Sequence, residues 1–451
     1  MMKHSAFVLY YFLAISFDVI QSSKRYDSCQ VWKVKLSTEE QLDLIHGLFE
    51  RSDTGDLKEK VLFWERPSSI KDGVELLVCP EALEMIRQAL SQAGLEVEVI
   101  SKNVQKSIDT NHQKSRQRSQ GTAAYDPTEY NTLEQIYEYL EDLQSRCPAG
   151  LSCEISNIGE TYEGRVIKEL TITGTGEKRP GIWMDSLFHA REWLAGATNL
   201  NIVERLISGY GSDGAITLLM DTYDWYIVPV VNPDGYEYTW TDDRFWRKNR
   251  TPNNGAPDCP GTDLNRNYNF RWGVVDGGTS DDPCSNLFFG PGAASELETQ
   301  TIEREAHRLN GSIALWISWH SWDFKWLFPF ASTDGNDSCL RSPYYDDIKQ
   351  AGQACVDAVQ GTFNEEEWIA GAYCEVLYQS SGVLIDWVEA EGIAKYVYTP
   401  ELRGPGFDAG PEHIGPSTEE SWNGLLALIK EIESIERRRK TALEATLHIE
   451  K

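Results

Sequence analysis

The sequence predicts an α/β protein in two parts: a large sheet covered by helices on both faces, preceded by a small α+β unit. Three observations carry this. From about Ala123 onward, strand-like and helical stretches alternate, which is the pattern of a sheet flanked by helices. Residues 29–101 read in the order β-α-β-β-α-β, a split βαβ arrangement. The chain's 451 residues exceed one ordinary domain, and a 41% hydrophobic content with fifteen tryptophans suffices for a large core.

In the small unit, Cys29 to Leu36 alternates like a strand, and Ser37-Thr38-Glu39-Glu40 opens a helix to about Glu50 with capping-type residues. Val61–Glu65 and Val74–Cys79 read as strands, Pro80 starts a helix to about Ala93, and Leu95–Ile100 is a last strand. In this order the third strand runs antiparallel beside the first. Cys29 and Cys79 then fall at the same end of the sheet, as a disulfide requires. Ser101 to Gly121 follows, polar and almost without apolar residues, and reads as a linker. Its Lys114, Arg116 and Arg118 suit a trypsin-like protease and suggest an activation segment.

In the large unit, Tyr130–Leu143, Glu192–Tyr210, Ser295–Leu309, Tyr345–Val359, Ser381–Ala390 and Thr418–Ile435 read as helices. Ile167–Ile172, Gly181–Phe188, Thr222–Val231, Ser312–Ser318 and Tyr396–Pro400 read as strands. The charged end, with Arg437-Arg438-Arg439-Lys440, is expected to extend the last helix into solvent.

A formal charge of −28 argues against a nucleic-acid partner, because phosphate binding needs clustered Lys and Arg. At the N-terminus, Lys3 and His4 precede an apolar run from Ala6 to Phe17 and then Gln21-Ser22-Ser23, the pattern of a secretory signal over residues 1–22. A membrane anchor is the alternative, but about 12 residues fall short of the ~20 that span a bilayer. No later segment is long and apolar enough, so a secreted, extracellular protein is expected, with no membrane partner. Nine cysteines and the sequons at Asn249, Asn310 and Asn336 agree with an oxidising compartment.

Ligands of open α/β sheets gather beyond the carboxyl ends of the strands, so polar residues at those ends are the candidates. Behind Gly181–Phe188 stands His189-Ala190-Arg191-Glu192-Trp193. A histidine and a glutamate three residues apart can point the same way across one turn. They offer two of the three protein ligands of a catalytic zinc, the third being a distant histidine. Alone, His-x-x-Glu is a weak motif and reads equally as a hydrogen-bonded histidine beside a surface glutamate. Asn232-Pro233-Asp234-Gly235, His320-Ser321 and Glu401 follow three further strands. Two of only eight histidines stand at strand ends, one of them with Glu192, which brings the zinc reading level with the structural one.

Eight words of sequence occur in order between about residues 122 and 435. They are His-Ala-Arg-Glu-Trp (189–193), Asn-Pro-Asp-Gly-Tyr (232–236), Trp-Arg-Lys (246–248), Asp-Leu-Asn-Arg-Asn (263–267), His-Ser (320–321), Tyr-Gln-Ser-Ser-Gly (378–382), Ile-Asp-Trp (385–387) and Glu-Leu-Arg (401–403). In these the chain resembles the zinc metallocarboxypeptidases of the pancreatic carboxypeptidase A and B family in proenzyme form. The resemblance implies a mixed eight-stranded sheet sandwiched by helices and preceded by a ferredoxin-like pro-domain. It divides the chain into a signal peptide (1–22), pro-domain (24–104), activation linker (105–121), catalytic domain (122–435) and charged extension (436–451).

It also implies one zinc ion held by His189, Glu192 and His320, the His₂Glu set of carboxypeptidase A. Glu401 would be the general base, with an ion pair to Arg403 as its structural alternative. Arg247 would stabilise the oxyanion. Asn265 and Arg266 would clamp the terminal carboxylate of the substrate, since a guanidinium fork fits a carboxylate bidentately. Tyr378 would close over that end, and Arg191 would guide the incoming chain.

The residue before Asp386-Trp387 lies, in the family, at the bottom of the pocket for the terminal side chain. Here it is Ile385, which implies an A-type preference for aliphatic or aromatic ends, because a buried Lys would lack a partner at a cost of several kcal/mol. Val383 and Leu384 replace the family's small residues and narrow the pocket. Trp322 replaces a common tyrosine, and Pro400 an aromatic. The resemblance pairs Cys259 with Cys284 and Cys339 with Cys374. Cys147 and Cys153 are close enough to bridge a loop, which leaves Cys355 unpaired and buried. The expectation is thus a monomeric zymogen, opened by a trypsin-like protease and acting on peptide or protein C-termini. Its rivals are an inactive peptide-binding relative and a B-type enzyme acting on Lys or Arg.

Overall fold

The computed structural model describes residues 23–449 except 71–72, 120–124, 175, 177, 276, 336–337 and 364–366. The expected signal segment, the end of the activation segment and the Asn336 sequon lie outside the described residues.

The first unit runs β1 (Gln30–Val34), α1 (Glu39–Asp53), β2 (Val61–Phe63), β3 (Val74–Val78), α2 (Leu83–Gln92) and β4 (Val97–Ser101), in the expected order. Its strands pair antiparallel as β2-β3-β1-β4. Thr38 caps α1 by accepting from the Gln41 amide, one of the donors a helix start leaves open. Period-two alternation gives this sheet two apolar faces. Trp32, Leu76 and Val78 pack with Ile45, Leu48 and Ile86 of the two helices. Val31 and Leu77 turn the other way and join Trp64 against Phe245 and Phe407 of the second unit.

The stretch expected as a linker is instead a helix, α3 (Val104–Ser119). Val104, Ile108 and Ser115 are buried, and His112 stacks on Trp240 at 5.4 Å. These four make a sparse stripe at spacings of three and four. Packing on the second unit therefore holds the helix where composition argues for none. Lys114 pairs with Glu129 at 2.5 Å, and Arg118 donates to the Tyr130 carbonyl at 2.7 Å.

The second unit contributes α4 (Leu133–Ser145), β5 (Leu151–Glu160), β6 (Val166–Gly174), β7 (Gly181–Ser186), α5 (Trp193–Gly209), α6 (Gly214–Thr222), β8 (Asp224–Val228) and α7 (Pro233–Thr241). It continues with α8 (Leu297–Arg308), β9 (Ile313–Ser321), β10 (Lys325–Phe328), α9 (Tyr345–Phe363), β11 (Ile369–Ala372), α10 (Tyr373–Val376), α11 (Leu384–Ala390), β12 (Tyr396–Leu402) and α12 (Ile414–Ile449). Its sheet has eight strands in the order β11-β10-β12-β9-β7-β8-β6-β5. The central strands β12, β9, β7 and β8 run parallel, and β6, β5 and β10 join antiparallel.

Alternation sends Met184, Ile317 and Tyr398 under α4, α5, α9 and α12. Trp183, Trp316 and Val397 go to the opposite face, under α8 and α11. Both faces are covered, as the sequence predicts.

The four expected disulfides form, at Cys29–Cys79, Cys147–Cys153, Cys259–Cys284 and Cys339–Cys374, and Cys355 is free and buried. The last helix continues with exposed residues from Glu436 to Ala445. Among the described residues no helix is long and apolar enough to cross a membrane. Of the sequons, Asn310 is exposed in a turn. Asn249 is fully buried, its carboxamide donating to Glu296 at 2.7 Å and to Glu298 at 3.2 Å, so the folded chain carries no glycan there.

Candidate metal centre and active site

His189 and Glu192 occupy the turn between β7 and α5. Leu187, with φ of 57°, swings the chain off the strand in a conformation that branched side chains rarely adopt. His320 ends the inward-facing positions of β9, and Glu401 is its register partner on the parallel strand β12. Register partners share a sheet face, so both side chains rise beside the β7–α5 turn.

The His189 Nδ1 lies 2.7 Å from Glu192 Oε1, the His320 Nδ1 lies 3.0 Å from Glu192 Oε2, and the two Nδ1 atoms are 3.1 Å apart. All three ligand atoms fall within 4.8 Å of one another, and all three residues are buried. Two imidazole nitrogens facing each other across a carboxylate make poor mutual hydrogen-bond partners and a good cation site. The donors are those zinc takes.

Behind them, Asp263 accepts from His189 Nε2 at 3.1 Å and from Arg247 Nε and Nη2 at 3.0 and 2.8 Å. Such a carboxylate fixes the tautomer of a ligating histidine. In sequence Asp263 stands two residues before Asn265, and the cap it makes on the short turn at Leu264–Arg266 gives no sign of this second role.

The electrostatics separate the carboxylates. Burial pushes the Glu401 carboxyl up to about 8, with Glu192 and Asp323 adding to the push and His320 and Arg247 opposing it. Glu192 is held low against burial by His189 and His320, and Asp263 against burial by Arg247 and Arg266. A carboxyl near neutrality beside ionised neighbours is the pattern of an acid–base group. Arg403 pairs with Glu420 at 3.5 Å. On the same sheet face, burial lifts Asp185 to about 7, with Ser318 and Trp183 opposing.

Of the ten candidate residues, His189, Arg191, Glu192, Arg247, Asn265, Tyr378 and Glu401 line one cavity. His320, Arg266 and Ile385 are buried and do not line it. Arg266 is buried, donating to the Gly278 and Asn265 carbonyls at 2.6 and 2.7 Å, with Nη2 3.5 Å from the Tyr378 hydroxyl. Gly278 permits this arrangement, since a Cβ there would sit 2.6 Å from the Tyr378 ring. Ile385 is fully buried among Val383, Leu384 and Leu327, and the adjacent Asp386 accepts from the Ala331 and Ser332 amides at 2.8 and 3.0 Å.

The first unit forms the opposite wall, through Phe49, Asp53, Leu62, Phe63 and Trp64. The space left is about 60 Å³, room for a few waters rather than a peptide end. Arg191 donates to the Trp64 carbonyl at 3.2 Å and lies 4.1 Å from the centre of the Phe407 ring. The expected substrate guide is thus a contact of the covering unit. Asp53 accepts from Ser285 Oγ at 2.5 Å and the Asn286 amide at 3.0 Å.

A two-histidine, one-glutamate centre at the ends of parallel strands defines a zinc enzyme of the α/β class. The chain belongs to the zinc carboxypeptidase family, whose model matches residues 136–424, while the carboxypeptidase activation peptide matches residues 32–111. It is 31% identical to carboxypeptidase A2 of Mus musculus, over 93% of this chain and 97% of that one. It is 30% identical to zinc carboxypeptidase A 1 of Anopheles gambiae, over 90% of each. The crystal structure of thrombin activatable fibrinolysis inhibitor superposes with a TM-score of 0.79 at 26% identity, covering 90% of this chain and 99% of that one. The chain is a metallocarboxypeptidase with zinc as its cofactor, and it carries an activation peptide.

Proposed function

We propose that the chain is the secreted zymogen of a carboxypeptidase that removes apolar or aromatic C-terminal residues from peptides and proteins. The convergence of His189, Glu192 and His320, with Glu401 in register beside them, carries this reading. His189, Glu192 and His320 hold the zinc, which when bound supplies a Lewis acid and lowers the pKa of a water to about 7.

Glu401 takes the proton of the attacking water and passes it to the leaving amine, a role suited to a carboxyl in register with His320. Asp263 ties down the Nε and Nη2 edge of Arg247, which orients that guanidinium toward the oxyanion. Asn265 is oriented by accepting from the Leu384 amide at 2.9 Å, and with Arg266 it binds the terminal carboxylate under Tyr378. Arg191, released from Trp64, contacts the substrate upstream. Ile385 gives the pocket an apolar floor, and Val383 and Leu384 restrict its width.

Residues 24–104 act as the pro-domain, 105–121 as the activation segment and 122–435 as the catalytic domain, with 436–451 as a solvent-exposed extension. A trypsin-like protease cuts near Arg116 or Arg118, and the product is a monomer. Four disulfides among the described residues support secretion.

The test incubates trypsin-treated protein with peptides ending in Phe, Leu and Arg, with and without a chelator. Chelator-sensitive release of Phe and Leu is expected. Faster release of Arg would make it a B-type enzyme, and no release at all a peptide-binding relative.

A further inference from the structure

An imidazole offers a lone pair at Nδ1 only when its proton sits on Nε2, and both histidines of the centre turn Nδ1 inward. For His189 the outer proton has a carboxylate acceptor in Asp263. For His320 the group next to Nε2 is the Ser318 hydroxyl, at 3.3 Å and two residues back on the same face of β9. A hydroxyl that accepts there must send its own proton elsewhere, and Ser318 is fully buried. Its register partner on the parallel strand β7 is Asp185. The Asp185 carboxylate is also fully buried, and its Oδ2 accepts the Trp183 indole N–H at 2.7 Å. A buried carboxylate needs more than one donor, and Ser318 is the neighbouring hydroxyl that can turn to it.

We propose that Ser318 and Asp185 are positioning residues for the metal centre. Asp185 orients the Ser318 hydroxyl, which accepts from Nε2 of His320 and keeps the Nδ1 lone pair free for the metal. The two histidines are therefore supported differently, one by a carboxylate in contact and the other by a carboxylate acting through a hydroxyl. The inference rests on His320 being a zinc ligand.

The test titrates Zn²⁺ into the zinc-free full chain, in competition with an indicator, for the parent, Ser318→Ala, Ser318→Thr, Asp185→Asn and Glu192→Gln. The melting temperature of each zinc-free protein is measured alongside. Ser318→Ala and Asp185→Asn are expected to weaken Zn²⁺ binding on the order of 10-fold. Ser318→Thr keeps the parent affinity, and each zinc-free variant keeps a cooperative melting transition, which shows that it folds. Parent-like affinity in Ser318→Ala or in Asp185→Asn overturns the relay, as does an equal loss in Ser318→Thr, which would mark core damage rather than a missing hydroxyl. Glu192→Gln separates the two failures. If it binds Zn²⁺ like the parent, the ligand assignment falls; if it alone loses Zn²⁺, only the relay falls.

Discussion

The two sheets of this molecule bury themselves in different ways, and the difference assigns them different work. The small sheet is antiparallel and carries its own helices on one face. Its other face, with Val31 and Leu77, is dry only because Phe245 and Phe407 of the second unit cover it. The large sheet is clothed on both faces by its own helices. One unit therefore depends on docking and the other does not, which suits a cover that leaves and a catalyst that stays.

The strand directions differ as well. Antiparallel strands alternate their ends, whereas β7, β9 and β12 run parallel, so His189, His320 and Glu401 arrive at the same rim. A site assembled from strand ends needs the second arrangement.

The largest effects should come from separating the ligand and base roles within that rim. Glu192→Gln is expected to lose most of its zinc and with it the activity. Glu401→Gln should keep zinc while peptide release falls on the order of 10²–10⁴-fold. Zinc content after dialysis, read beside the rate of release, checks both. A Glu401→Gln protein with parent-like release would end its role as base.

How far each sheet was legible follows from the same contrast. In the large unit, apolar alternation breaks at the strand ends, so His189, His320 and Glu401 could be picked from periodicity and position alone. Self-contained burial leaves its pattern in the central strands of the sheet. The contacts between the units leave almost none. The stripe on α3 is four residues among sixteen, and two of them, His112 and Ser115, give no apolar signal. Trp64 shows nothing in sequence of its seat on Arg191 and Phe407. The short strands β10 and β11 and the edge strand β5 are not legible in sequence, because four residues, or a half-exposed ribbon, carry too little periodicity. In sequence Asp263 is only one letter of a motif, since tautomer control is a contact made in space.

Ile385, the proposed floor of the specificity pocket, is buried in the self-contained core, so changing it should alter selectivity without freeing the cover. Ile385→Asp is expected to raise the ratio of Arg to Phe release on the order of 100-fold, because the buried carboxylate then finds its partner only in a basic substrate. Competition between peptides ending in Arg and in Phe measures it, and an unchanged ratio would place the pocket floor elsewhere. At the docked face a smaller effect is expected. Trp64 packs 4.8 Å from Phe245 and 5.4 Å from Phe407. Trp64→Ala should loosen the cover and raise release by the uncleaved protein about tenfold, while the trypsin-cut variant matches the cut parent. Equal release by uncleaved variant and parent would show that Trp64 does not hold the cover.

The smallest effect concerns a carboxyl that the docked sheet keeps from water. Glu75 on β3 is buried, 3.6 Å from Lys33, and burial lifts it from the usual 4.5 to about 7, with Lys33 opposing and Asp323 of the second unit adding to the rise. The folded protein therefore holds this proton more firmly than the unfolded chain does. The group's contribution to stability is fully present below about 4.5 and is lost as the pH rises through about 7, beyond which it no longer changes. Other buried carboxyls, such as Glu298 at about 8, slope the same way, so the informative quantity is the difference between proteins. Glu75→Gln removes one ionisation and keeps the shape. The melting temperature of uncleaved Glu75→Gln should fall less than that of the parent between pH 5 and pH 7.5, by about 2 °C. Parallel melting curves would mean that the Glu75 carboxylate is as well accommodated at the docked face as in water, and that Lys33 outweighs burial there.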